Sequence, residues 1–197
     1  MRRFLLLLCL LASPALAQTP PPLPRVIVTT DQGAFTVEVD TVRAPISGAN
    51  FLRYVDQKRL DGITFYRVVK VADHFGFVQF GVQNAPKRVL PPIKHEPTTL
   101  TGIKHKDFTL SLPRLKPGTA QGEFTIMLGD QPSFDADPAL PGDNLGFAAF
   151  ARVVEGQETI VKIFDAPTSP TATIQGAFKG EIPVTAVKVL SARRARP

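Results

Sequence analysis

Eight short segments rich in β-branched and aromatic residues are spread along the chain, at 25–30, 34–40, 64–69, 77–82, 108–112, 123–128, 148–153 and 182–190. Only two stretches carry an apolar stripe of helical period, 45–57 through Ile46, Phe51, Leu52 and Val55, and 156–164, which Pro167 stops. Residues of the first kind suit a pleated, half-buried surface, and their spacing by turn residues reads as strands. The first two strands are close enough for a hairpin through 31–33, with Gly33 free to take positive φ. Eight antiparallel strands of this length predict a mainly β fold, a closed barrel, because closure removes the exposed edges of an open sheet. The two helices would then cap its open ends.

The first 17 residues, MRRFLLLLCLLASPALA, have two arginines, an apolar run and an Ala-x-Ala end. That is the pattern of a secretory signal peptide cut before Gln18. The apolar run is shorter than the roughly 20 residues a membrane span needs. Export is therefore expected, to the periplasm if the source is Gram-negative, with no stable membrane insertion after cleavage. Cleavage also removes the only cysteine, Cys9, so the remaining chain must be held by its core rather than by disulfides. The formal net charge of +6 falls by two with Arg2 and Arg3. Residues 18–24 form a stiff Pro-rich spacer, 25–191 the barrel domain, and 192–197 a basic, solvated tail. No aromatic residues are interleaved with that tail, which argues against a nucleic-acid partner.

Between the fourth and fifth strands lies the long segment 83–107, rich in Pro, Lys and His, of the kind that often serves as a lid or insertion. His95 and His105 lie there without cysteines or carboxylates at zinc-ligand spacing. Segment 130–144 holds Asp130, Asp135, Asp137 and Asp143 but lacks the regular spacing of a calcium loop, so these aspartates are read as fixing turns. No metal and no cofactor is expected.

The stretch TFYRVV, residues 64–69, places an arginine inside an apparently buried strand. Alternation puts Phe65, Arg67 and Val69 on one face and Tyr66 and Val68 on the other. In the next strand Phe77, Gln79 and Gly81 share a face. If the two strands pair, Gln79 stands beside Arg67, its carbonyl can accept from the guanidinium, and the remaining donors stay available to a ligand. Alone, an arginine here would read as a solvated strand residue with a snorkelling stem.

The series Asn50-Phe51, Phe65-Tyr66-Arg67-Val68-Val69, Phe77-Val78-Gln79-x-Gly81, Leu110-Ser111-Leu112, Gly118-Thr119-Ala120, Glu123-Phe124 and Phe150-Ala151-Arg152-Val153-Val154-Glu155-Gly156 resembles the cyclophilin-type peptidyl-prolyl cis-trans isomerases. The likeness extends over about residues 25–190. It implies an eight-stranded antiparallel barrel capped by two helices, acting on proline-containing polypeptides.

 The chain is expected to be a monomer. Rotation about an X-Pro bond faces a barrier of about 18–20 kcal/mol from amide resonance, and without help takes tens to hundreds of seconds. The resemblance assigns Arg67 to donate to the prolyl unit as its nitrogen pyramidalises, and Gln79 to position Arg67. Neither a covalent intermediate nor a metal is needed, only tighter binding of the twisted amide than of either planar isomer. Phe77, Leu112, Pro113, Arg114, Glu123, Thr125, Phe134 and Phe147 fall at positions that bind the substrate.

Several of these positions depart from the family pattern. Glu123 stands for a usual glutamine and is placed to pair with Arg67; Thr125 stands for phenylalanine and gives the proline pocket a more polar floor. Phe147 replaces a frequent histidine and returns apolar wall. Ser133 replaces tryptophan, with Phe134 beside it. Pro113 removes a backbone donor, and Arg114 is expected to offer its guanidinium to a substrate carbonyl or acidic side chain. These changes keep an alternative open, a cyclophilin-like chaperone that holds Pro-containing segments with little or no turnover. A small-ligand barrel with a central cavity is disfavoured, because the Arg67–Gln79 register would then have no purpose.

Overall fold

The computed structural model describes residues 22–83 and 85–196. The expected signal peptide and most of the spacer lie outside them. The strands are β1 (Arg25–Thr30), β2 (Gly33–Val39), β3 (Thr64–Ala72), β4 (Phe75–Gly81), β5 (Thr109–Leu112), β6 (Glu123–Leu128), β7 (Ala148–Glu155), β8 (Thr168–Ser169), β9 (Ile182–Pro183) and β10 (Val187–Arg194). The helices are α1 (Pro45–Asp56), the single turn α2 (Thr98–Thr101) and α3 (Gln157–Asp165). Eight strands close an antiparallel barrel in the order β1-β10-β3-β4-β6-β5-β7-β2, while β8 and β9 form a separate two-stranded sheet. The closed barrel and its two capping helices follow the pattern of the sequence.

Phenylalanines fill the interior. Phe35, Phe51, Phe65, Phe80, Phe124 and Phe150 are each no more than 1% exposed. Phe65 and Phe80 meet with ring centroids 4.7 Å apart, Phe80 and Phe124 at 5.5 Å, and Phe51 and Phe124 edge-on at 5.1 Å. Such pairs each add about 0.5–1.5 kcal/mol beyond the area they bury. This aromatic core is what a chain without disulfides relies on. The side chains of β3 and β4 that point outward are therefore held by a wall that does not yield easily.

The C-terminal boundary needs correction. The expected strand at 182–190 is two pieces: Ile182–Pro183 pairs with Thr168–Ser169, and the barrel strand begins at Val187. It then runs through residues assigned to the basic tail. Ala192 is fully buried opposite Val28. Arg193 pairs with Asp61 at 2.7 Å and Arg194 with Asp56 at 2.7 Å. Composition read these residues as solvated because arginine is normally exposed; pairing with β1 and two surface carboxylates keeps them in the sheet. The arginine hydrogen bonds hold both aspartates below their ordinary pKa.

The long segment 83–107 braces α1 as well as running beside the barrel. Pro45 opens that helix, and Ala44 before it supplies no side-chain cap. Glu96, 3% exposed, fills the role from 50 residues away in sequence: its carboxylate accepts from the N–H groups of Ile46 (3.1 Å) and Ser47 (2.6 Å). A negative charge there also meets the positive end of the helix dipole. Leu90 donates its N–H to Tyr54 Oη at 2.8 Å and accepts from Gln121 Nε2 at 3.0 Å, fastening the same segment to both α1 and the loop before β6. Glu96→Ala leaves two helix N–H groups without their charged acceptor and is expected to cost about 1–3 kcal/mol. Urea unfolding of wild type and variant, with m-values compared, checks this.

Candidate functional site

Arg67 and Gln79 are direct partners in the β3–β4 ladder. The face assignment within β3 is different from strict alternation. Phe65 opposes Phe80 and Arg67 opposes Gln79, so Tyr66 is the extra residue of a β-bulge. Phe65 and Val68 both enter the core, and Tyr66 joins Arg67 on the outer side. The expectation that Phe65 shares a face with Arg67 is overturned. One inserted residue reverses the parity of everything before it.

The bulge brings four polar side chains into one chain of hydrogen bonds. Arg67 Nη1 donates to Gln79 Oε1 at 3.2 Å. Gln79 Nε2 donates to Tyr66 Oη at 2.6 Å, and Tyr66 donates its proton to Glu123 Oε2 at 2.5 Å. The other Glu123 oxygen accepts from the Gln83 N–H at 2.6 Å. Because the Tyr66 proton goes to the carboxylate, its oxygen is left to accept from the Gln79 amide nitrogen. The Gln79 carbonyl must then face Arg67. Gly81, opposite Glu123 in the ladder, makes room for this: a Cβ there would collide with the Glu123 carboxylate and the Gly122 carbonyl. Burial, followed by the Glu123 charge, pushes Tyr66 above the ordinary phenol pKa, so it stays protonated.

Glu123 was expected to pair with Arg67. Among the described residues the carboxylate that does so is Glu181, whose Oε2 receives Arg67 Nε at 2.6 Å. The guanidinium carbon lies 5.2 Å from the centre of the Phe77 ring and 4.1 Å from that of Phe178. Glu181 and Phe178 went unnoticed in the sequence. The only signal was a lone aromatic in the Gly-rich stretch IQGAFKGE.

Tyr66, Arg67, Phe77, Gln79, Glu123 and Phe178 line a groove of about 820 Å³. On its apolar side Phe77 and Phe134 approach to 5.8 Å, and Phe134 and Phe147 to 5.2 Å. Thr125, directly opposite Gln79, lies at the base and is 5% exposed. Its hydroxyl donates to the Ser111 carbonyl at 3.3 Å, so the floor is less polar than its residue type suggests. Below it His105 is buried, one nitrogen 2.8 Å from Ser111 Oγ and the other 2.7 Å from Asp135 Oδ1. Burial lowers the His105 pKa, against the pull of Asp135.

Pro113 and Arg114 also line the groove, but Leu112 does not: it is 1% exposed and packs in the barrel core opposite Ala148. The strand ends at Leu112 as expected, and alternation puts Leu112 on the core face with Leu110, so the groove begins only at Pro113. Arg114 is not offered to a ligand as expected. Its Nε and Nη2 donate to the Gly146 carbonyl, and Nη1 and Nη2 to the two Asp143 oxygens at 2.7 Å. It holds the loop that presents Phe147, whose ring centre is 5.7 Å away. Two of the aspartates of 130–144 fix turns, Asp143 Oδ1 accepting from the Leu145 N–H and Asp137 Oδ1 from that of Ala139, whereas Asp135 and Asp130 hold His105 and Asp107 of the preceding segment.

Two outcomes test this geometry. Tyr66→Phe removes the acceptor of the buried Gln79 amide and the donor to Glu123, and should cost about 1–3 kcal/mol in chemical denaturation. The Gln79 side-chain amide resonances should shift at the same time. The second concerns acid. Hydrogen bonds from Arg114 hold the Asp143 carboxyl well below the usual carboxylate range. A depressed folded pKa means that the contribution is complete above the unfolded value, about 3.9, and is lost as pH falls further. Native Phe147 ring resonances should therefore stay constant through about pH 4 and move only at more acid pH, where the depressed Asp143 carboxyl itself takes up a proton. In Asp143→Ala they should already be displaced at neutral pH.

Comparisons with known proteins bear on the family and the fold. The family model described as cyclophilin type peptidyl-prolyl cis-trans isomerase/CLD matches residues 25–193. A peptidyl-prolyl cis-trans isomerase of Acinetobacter baylyi is 28% identical over 190 residues, covering 95% of this chain and 94% of its own length. Peptidyl-prolyl cis-trans isomerase A of Dickeya dadantii is 28% identical over 183 residues, covering 90% of each. A Cryptosporidium parvum cyclophilin type isomerase, crystallised in the presence of the dipeptide Ala-Pro, shares the fold with a TM-score of 0.70 at 17% identity, over 88% of this chain and 99% of its own. With its barrel, its Arg67–Gln79 pair and a family match over nearly all the described residues, this chain belongs to the cyclophilin-type peptidyl-prolyl cis-trans isomerases.

Proposed function

We propose that the groove accelerates cis–trans rotation of X-Pro bonds in exported polypeptides, with Arg67 as the group that acts on the amide. The observation that carries this is the guanidinium itself, aimed from two sides beside an apolar pocket. The proline ring rests against Phe77, Phe134 and Phe147 over Thr125. As the amide twists, conjugation is lost and the prolyl nitrogen becomes basic and pyramidal. An Arg67 N–H not engaged by Gln79 or Glu181 donates to that nitrogen, an interaction the planar isomers do not offer. The donor is already oriented, so little reorganisation is required at the moment of rotation. Pro113, Arg114 and Glu123 shape the groove, Arg114 and Glu123 through the loop and the side chains they hold. Export rests on the signal-peptide pattern of residues 1–17. The chain acts as a monomer, without metal or cofactor.

The test is exchange of an X-Pro peptide followed by NMR with residues 18–197. Wild type should exceed the uncatalysed rate, and Arg67→Ala should lose about 10²-fold or more of the acceleration, the scale seen when one pre-aimed donor is removed. Peptide binding by wild type with no faster exchange would instead identify a holding chaperone.

A further inference from the structure

The segment 170–181, between β8 and β9, crosses the edge of the groove. Ile174 and Ala177 close a tight turn with reciprocal backbone hydrogen bonds of 3.0 and 2.9 Å. The following residues are tied to β3, where the Val68 N–H donates to the Glu181 carbonyl at 2.7 Å. That anchor lies one residue from Arg67, and it places the Glu181 carboxylate on Arg67 Nε and the Phe178 ring on the guanidinium face. With Phe77 also against it and Gln79 on Nη1, the cation is confined in its plane and at its edge. Phe178 itself adopts φ +64°, an unfavourable backbone conformation for a bulky residue. Such a conformation persists where surrounding contacts over-determine it, and it is a recurrent mark of functional sites.

An arginine side chain has many rotamers, and a donor that wanders contributes little to a reaction needing one direction. Gln79 alone fixes a single nitrogen. We propose that Glu181 and Phe178 are positioning residues for Arg67, so that this segment sets turnover rather than peptide affinity. The inference rests on the isomerase reading of Arg67.

The experiment measures kcat and KM by NMR exchange for wild type, Arg67→Ala, Glu181→Ala, Glu181→Gln and Phe178→Leu, and records the Arg67 Nε–H resonance in each folded variant that retains Arg67. Glu181→Ala should lower kcat at least tenfold with KM within twofold, and should shift the Nε–H resonance. Glu181→Gln, which keeps an acceptor oxygen, should recover most of the rate. Phe178→Leu should lower kcat by a smaller factor. If Arg67→Ala is inactive while Glu181→Ala turns over within twofold of wild type, the segment does not position the arginine. A faster Glu181→Ala would make the carboxylate a restraint on catalysis and also overturn the inference. An Arg67→Ala variant as active as wild type would remove the reading of Arg67 on which the inference rests.

Discussion

The guanidinium of Arg67 is the fixed point of the site, and its position is set by residues far apart in sequence. The Phe65–Phe80 stack behind it holds β3 and β4 together on the core side. A bulge at Tyr66 then turns both Tyr66 and Arg67 outward. Without the bulge, Tyr66 would lie on the side opposite Arg67 and could not orient the Gln79 amide. The hydrogen-bond chain from Arg67 to Glu123 is thus a consequence of one extra residue in a ladder, stabilised by packing on its reverse side.

The rim of the groove is built on the same principle of charges already satisfied. Arg114 is committed to Asp143 and Gly146, Glu123 to Tyr66 and Gln83, and Arg67 in part to Glu181 and Gln79. Pairing each charge limits the penalty of placing it beside a desolvated apolar pocket. It also leaves Phe77, Phe134 and Phe147 as the apolar wall of the groove. The pocket floor is supported from below by Thr125, Ser111, His105 and Asp135, a hydrogen-bonded column linking β6, β5 and the turn that carries Phe134.

The segment 83–107 illustrates a different economy of structure. Helix α1 begins at a proline and lacks its own capping side chain, and the acidic group that completes it comes from Glu96. His95, the neighbouring residue, is 3.0 Å from the Leu145 carbonyl in the loop that presents Phe147. One long connection therefore touches both a core helix and the groove rim.

Composition and periodicity determined the eight barrel strands, the two main helices and closure of the barrel, and put Arg67 and Gln79 where pairing of their strands brings them together. These follow from local preference and from the period of two of a regular strand. They could not place Phe65 and Tyr66, because a bulge changes face without changing residue type. Nor could they show that Arg193 and Arg194 belong to a strand, or that Glu181 rather than Glu123 pairs with Arg67. Those choices depend on which carboxylates the folded chain brings within reach, across separations of more than a hundred residues in each of these cases. Sequence supplied the charged groups, and only the tertiary fold decided their partners, because Coulomb attraction and hydrogen bonding act over a few ångströms of space rather than along the chain.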